Sequence, residues 1–237
     1  MKLLALETSA KAASCAVLSD GAPIASAWQA TGLTHSRTLL PMVEDMLKNS
    51  ELRLADMDAI AVAAGPGSFT GLRIGMAAVK GLAWAADKPC IPVSTLEAMA
   101  WPLSHLEGVI VCAMDARRQQ IYHALFRGEN GRVTRVTEDC AISLEELAAQ
   151  LRDMPEDKLV VGDGAALCAG YLNDAGIPCR MAEESHRMQS AVGAALCAEE
   201  MAARGETVTA QGLEPVYLRL SQAERERLSR GLKITLD

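Results

Sequence analysis

The sequence is short of aromatic residues, with three Trp, three Tyr and two Phe among 237 positions. That scarcity argues against an aromatic-rich sandwich and for aliphatic helices packed on a sheet, since the apolar half of the chain is mostly Ala, Leu, Val and Met. Basic residues are also the minority, 23 against 30 acidic, for a formal charge of -7. Such a surface repels a polyanion at long range, and no basic tract is long enough to follow a phosphate backbone. Near the C-terminus Arg225, Arg227, Arg230 and Lys233 interleave with Glu224 and Glu226 and read as a solvated helix rather than an RNA arm. Cys-x-x-Cys spacing is absent: Cys15, Cys90, Cys112, Cys140, Cys168, Cys179 and Cys197 are odd in number and scattered, which speaks against disulfides and zinc and for a reducing compartment. Long apolar runs are missing too. Ile74 to Ala86 is interrupted by Lys80, and Met1 to Leu6 meets Glu7 before a signal core forms, so a cytoplasmic protein without a membrane segment is expected.

What is present points to an α/β protein of two units. Lys2–Leu6, Ser14–Leu18 and Ile24–Trp28 read as strands. From Thr34 the period lengthens, and Leu39, Leu40, Val43, Met46 and Leu47 predict a helix ending near Asn49, with Pro41 early in it. Asp58–Ala64 is a buried strand, Leu72–Ala86 a helix stopped by Asp87-Lys88-Pro89, Cys90–Val93 a strand, and Ser94 the cap of a helix through Trp101. The second half repeats the opening: Val109–Met114, a polar turn at Asp115-Ala116-Arg117-Arg118, then Ile121–Phe126. Strands at Val133–Val136 and Leu159–Val161 follow, with a helix capped by Ser143, one ending near Asn173 and one over Gln189–Arg204. Glu7 and Asp115 hold equivalent places in two copies of an acid-bearing hairpin. The expected division is an N-terminal lobe 1–105, a C-terminal lobe 106–220 and a charged tail 221–237.

The chemistry-bearing candidates are few. Gly65-Pro66-Gly67-Ser68-Phe69-Thr70-Gly71 lies between a strand and a helix, where free N–H groups can receive an anion. It matches neither the P-loop nor Gly-x-Gly-x-x-Gly, so its composition leaves an anion site and an inert tight turn level. The following helix is apolar apart from Arg73 and Lys80 and wants cover on more than one face, from a neighbouring helix of this chain or from a second polypeptide. His35, His105, His123 and His186 are isolated and read as structural, with no His-x-x-x-His and no Gly-x-Ser-x-Gly in the chain. Glu7 and Asp115, facing one cleft, could hold a magnesium-nucleotide through water or serve as turn acids.

Leu4-Ala5-Leu6-Glu7-Thr8-Ser9, His35-Ser36-Arg37-Thr38-Leu39-Leu40-Pro41, Gly65 through Gly75, Val93-Ser94-Thr95-Leu96, Asp115-Ala116-Arg117 and Glu214-Pro215-Val216-Tyr217-Leu218-Arg219 together resemble the TsaB (YeaZ) family. The resemblance implies an actin-like/Hsp70-like ATPase (ASKHA) fold of two duplicated α/β lobes. It implies a part in making N6-threonylcarbamoyladenosine at position thirty-seven of tRNA, where a TsaC-type enzyme supplies threonylcarbamoyl-adenylate, TsaD transfers the group and the ATPase TsaE assists. TsaB proteins bind TsaD and do not catalyse. TsaD-like chains carry Asn-His-Leu-Glu-Gly-His with two metal-holding histidines; the similar stretch here is Ser94-Thr95-Leu96-Glu97-Ala98-Met99, with Thr95 and Met99 in their places. Arg117-Arg118-Gln119 puts bulk where phosphates would approach, and Gly162-Asp163-Gly164 is similar to the adenosine-contacting turn.

The reading that follows is a non-catalytic partner subunit. Its partner face would be Leu39, Met42, Met46, Arg73, Ala77, Lys80 and Trp84, forming a helical bundle with TsaD, or with a second copy when TsaD is absent. TsaE joins in the assembled complex, and tRNA is reached only through it. No cofactor is required; weak ATP or ADP binding would use Glu7, Thr8, Gly65, Gly67, Ser68, Asp115, Gly162 and Gly164, with metal and nucleotide otherwise carried by TsaD and TsaE. The alternative is a small-molecule kinase of the same superfamily using Glu7 and Asp115.

Overall fold

A computed structural model describes residues 1–117 and 119–219. Arg118 and the charged tail 221–237, with Arg225, Arg227, Arg230 and Lys233, lie outside the described residues.

Alternating side chains build the first sheet. Its strands β1 (Lys2–Glu7), β2 (Ala13–Ser19), β3 (Ala22–Gln29), β4 (Ala59–Gly65) and β5 (Cys90–Ser94) run in the order β3-β2-β1-β4-β5. β1 is antiparallel to β2, Leu6 opposite Cys15, and parallel to β4, Leu4 opposite Ile60. Because successive side chains leave a strand on opposite faces, Leu4, Leu6, Ile60 and Val62 enter one core with α1 (His35–Asn49) and α2 (Phe69–Ala86). Leu3, Ala5, Ala59 and Ala61 enter a second core with α7 (Ala191–Ala203). Covered on both faces, these strands read as unbroken apolar runs.

The second sheet contains β6 (Gly108–Asp115), β7 (Gln120–Glu129), β8 (Arg132–Arg135), β9 (Cys140–Ser143), β10 (Lys158–Val161) and β11 (Arg180–Met181), ordered β11-β10-β6-β7-β8 with β9 also on β7. Its centre copies the first: β6 is antiparallel to β7 and parallel to β10, as β1 is to β2 and β4. Val109, Val111, Leu125 and Val160 pack under α4 (Leu144–Leu151) and α5 (Ala165–Asp174). On the other face Ile110, Cys112 and Phe126 meet Leu96, Met99 and Ala100 of α3 (Thr95–Ala100). α6 (Glu184–Arg187) is a single short turn.

α3 and α7 form the layer between the sheets. A Cβ on Gly193 would fall 2.1 Å from the Ala98 carbonyl, a helix crossing so close that only glycine permits it. α7 falls in the 106–220 stretch of sequence but packs on the first sheet. The chain then stays there, since Val208 bridges to Cys90 and the Val216 N–H donates to the Ala64 carbonyl at 2.8 Å.

Several local expectations shift. α2 starts at Phe69 rather than Leu72, because the Ser68 side chain accepts the Gly71 N–H and so draws half of the glycine block into the helix. β9 and β11 were not anticipated: Cys140–Ser143 is half-buried at every position and carries no alternation, and β11 is two exposed residues. Ser143 does cap α4, in a capping box with Glu146. No helix among the described residues is long and apolar enough to cross a membrane, and all seven cysteines are free.

Candidate functional site

Two regions compete for the role of functional site: the cleft between the lobes and the outer face of α1 and α2. The cleft, about 460 Å³, is lined by Ser9, Lys11, Gly67, Ser68, Phe69, Asp115, Arg117, Tyr122 and Asp163. Each hairpin holds its acid in the same local turn, but only Asp115 lines the cleft, Glu7 being buried. Glu7 Oε1 accepts the N–H of Ser9, and Asp115 Oδ1 accepts that of Arg117 at 2.7 Å.

Their surroundings differ. Glu7 is buried, and burial pushes its carboxyl up to about 7, against the pull of the Ser9 hydrogen bond and with a further push from Asp163. Among the described residues its Oε2 has no hydrogen-bond partner, and neither do Ser9 Oγ and Gln189 Oε1. Asp163 is half-buried; its carboxyl is also raised, mainly by burial, although Gln189 Nε2 donates to it at 3.2 Å. Asp115 is exposed, and the turn after it places Arg117 at φ 63° and Gln119 at φ 58°.

The glycines next to these acids are filled by the chain itself. A Cβ on Gly65, at φ 134°, would lie 2.2 Å from the Val216 carbonyl, and one on Gly67 would lie 2.6 Å from that of Ser9. Gly71 and Gly75 press on Thr8, whose Oγ1 donates to the Gly71 carbonyl at 2.8 Å. The Ser68 N–H is already donated to the Ser9 carbonyl at 2.6 Å. These contacts seat α2 against the first hairpin. In the other lobe Gly162 sits 2.1 Å, by its Cβ position, from the Ala113 carbonyl, and Gly164 packs at 3.1 Å against the backbone of the Asp115 strand.

Thr95 and Met99 are buried. Met99 belongs to the core under α3, and a Cβ on Gly162 would lie 3.3 Å from its methyl. Among the described residues no group of three His, Cys, Asp or Glu side chains is placed to hold a metal ion. His123 is buried beside Gln150 at 3.1 Å, and burial pulls its ring down to about 4; His35 meets the Ala10 carbonyl at 2.9 Å.

The residues expected at the partner face divide. Arg73, Ala77 and Trp84 are exposed on α2, Trp84 to 81%, while Lys80 and Met42 are half-buried. Leu39 and Met46 are corrected: both are packed into the core of the first sheet, because the α1 stripe containing Val43 and Leu47 is the inward one. The outward side of α1 instead shows Leu40, and beside it the edge strand β3 exposes Ile24 and Trp28 over a groove of about 650 Å³.

One cluster escaped the sequence reading. Phe69 and Tyr217 stack with centroids 3.9 Å apart, Arg73 lies 4.7 Å over the Phe69 ring, and its Nε donates to the Tyr217 hydroxyl at 3.0 Å. Arg219 then crosses to the other lobe and donates to the Ala116 carbonyl at 2.8 Å. The available signal was rarity, since two of the chain's five Phe and Tyr residues meet here.

Comparison with known proteins agrees with this architecture. The family model described as TsaD, tRNA N6-adenosine threonylcarbamoyltransferase, matches residues 29–226. The chain is 33% identical over 222 residues to the tRNA threonylcarbamoyladenosine biosynthesis protein TsaB of Escherichia coli (strain K12), covering 92% of this chain and 95% of that one. It is 32% identical over 231 residues to the protein of the same name in Bacillus subtilis (strain 168), covering 94% and 96%. Among solved structures, YeaZ from Pseudomonas aeruginosa superposes with a TM-score of 0.78 at 32% identity, over 92% of this chain and 99% of that one. The ROK hexokinase of Thermus thermophilus, at 15% identity, a TM-score of 0.50 and 86% of this chain against 100% of that one, shares the fold alone, that of the actin-like ATPases.

Proposed function

Since this chain belongs to the TsaB family, within the proteins that the TsaD family model describes, we propose that it is a non-catalytic partner subunit in N6-threonylcarbamoyladenosine formation on tRNA, and that it acts by binding TsaD. The observation that carries this reading is α2. Its inner side packs on the first sheet, yet its outer side presents Arg73, Ala77 and a Trp84 exposed to 81%. A large aromatic standing clear of the surface is the residue type that anchors protein interfaces.

The cleft favours the same reading over the kinase alternative. A kinase would ask Glu7 to hold a magnesium-nucleotide as a carboxylate, but Glu7 is enclosed with its proton affinity raised to about 7. A nucleotide phosphate fits poorly at Gly65 and Gly67, where the Val216 and Ser9 backbones already lie. Nucleotide and metal are then the business of TsaD and TsaE. TsaE and tRNA meet this subunit only in the assembled complex, and without TsaD the same face pairs with a second copy.

Pull-down with TsaD tests the docking face. Ala77→Arg combined with Trp84→Ser replaces exposed atoms only, so unfolding free energy should stay within about 0.5 kcal/mol of wild type while TsaD is lost. Unchanged co-purification rejects α2 as the interface. Nucleoside mass spectrometry of a deletion strain checks the pathway: loss of N6-threonylcarbamoyladenosine is expected, and an intact level overturns the assignment.

A further inference from the structure

The segment after Leu213 does something that its length does not require. Leu213 is fully buried in the core under α1 and α2, and the Val216 N–H bonds to the end of β4. Tyr217 then stacks on the first residue of α2, Phe69, and Arg219 reaches Ala116 in the acid hairpin of the second lobe. Val216, Tyr217 and Arg219 thus tie α2 to both sides of the cleft. The tie is gripped on the outside by Arg73, through one hydrogen bond to Tyr217 and a guanidinium over Phe69.

Arg73 is also on the docking face. α2 contains no acidic residue; Arg73 and Lys80 are its only charges, in a chain with a formal charge of -7. A partner seated on this helix is best received if it presents a carboxylate to Arg73, and a bidentate carboxylate is a stronger acceptor for a guanidinium than a neutral phenol. A carboxylate paired side-on takes the Nε–H together with one Nη–H, and that Nε–H is the one now given to the Tyr217 hydroxyl.

We propose that residues 216–219 are a strap coupling the docking face to the cleft: a partner carboxylate draws Arg73 from Tyr217, the strap loosens, and Arg219 releases the Ala116 carbonyl. This inference rests on the docking reading above. Coupling is reciprocal, so weakening the strap from the cleft side must also change partner affinity.

Hydrogen exchange of the full chain, alone and saturated with TsaD, reads both halves. Protection is expected across Phe69–Ala86 together with faster exchange in 213–219. Protection of Phe69–Ala86 with 213–219 unchanged or slower overturns the strap and leaves the docking reading intact; no protection of Phe69–Ala86 overturns both. Tyr217→Phe keeps the aromatic stack and deletes the acceptor of Arg73, so it should bind TsaD about two- to tenfold tighter, the range of one hydrogen bond. Equal or weaker binding by this variant, folded by circular dichroism, also overturns the strap.

Discussion

The two acid turns are made alike and end in opposite environments. In each lobe a strand delivers a carboxylate whose oxygen accepts the N–H two residues on, and a parallel strand on its flank ends in a Gly-x-Gly turn, Gly65-Pro66-Gly67 or Gly162-Asp163-Gly164. Around Glu7 the hairpin is pressed from outside by Gly67 and, within α2, by Gly71 and Gly75. Asp115 is exposed, as is Arg117 after it, although Gly164 at the start of α5 packs on the Asp115 backbone at 3.1 Å. Local sequence sets the turn, whereas packing from elsewhere decides how deeply the acid is buried. Two acids that are equivalent in the duplication therefore sit in different surroundings, Glu7 enclosed and Asp115 exposed.

The largest test of that contrast is Glu7→Gln. An acid whose folded-state pKa lies above its unfolded value holds its proton more tightly when folded. Its favourable contribution is complete below the unfolded value near 4.5 and is lost as pH rises through about 7. At pH 8 wild type bears the full cost, roughly 3 kcal/mol at 1.36 kcal/mol per pKa unit. Glu7→Gln, which keeps an acceptor for the Ser9 N–H, should be more stable than wild type at pH 8 and lose that advantage by pH 5. Urea denaturation at the two values measures it, and a constant gap would show that Glu7 is not the buried acid described.

Glycines sharpen the comparison next. On an open helix Gly→Ala stabilises by about 1 kcal/mol. Gly170 of α5 has nothing within 4 Å of its Cβ position and should behave so. Gly71 of α2 would put a methyl 2.1 Å from the Thr8 carbonyl, and the cost of forcing α2 off the first hairpin reverses the sign, to about 2 kcal/mol destabilising. Equal shifts in the two helices would mean that α2 is not seated on the Glu7 turn.

Much of this was readable from residue order. Strands buried on both faces announce themselves as apolar runs, so β1, β4 and β6 stood out, and the repeat of an acid after Leu6 and after Met114 marked the duplication. The two faces of α1 were harder. Leu39, Met42 and Met46 form a stripe as apolar as Leu40, Val43 and Leu47, and only the position of the sheet selects which residues turn inward. The glycine block stood out, but no spacing rule says that the atoms opposite Gly65 come from Val216, more than a hundred residues later. Long-range neighbours of this kind leave no periodic trace, and the Phe69–Tyr217 stack was hidden for the same reason.

The smallest expected effect lies at the second acid. Asp115 is exposed, and among the described residues its one side-chain hydrogen bond is the turn bond from Arg117 at 2.7 Å. Asn offers the same oxygen in the same place, and its side chain tolerates such turns as well as Asp does. Asp115→Asn should therefore change stability by less than about 0.5 kcal/mol, the usual range for a surface substitution. It should also leave TsaD binding untouched, since the proposed docking face is on α2. A large loss of stability would mean that the Asp115 charge is held by the protein, which would restore the symmetry of the two turns and reopen the cleft as a site for a charged ligand.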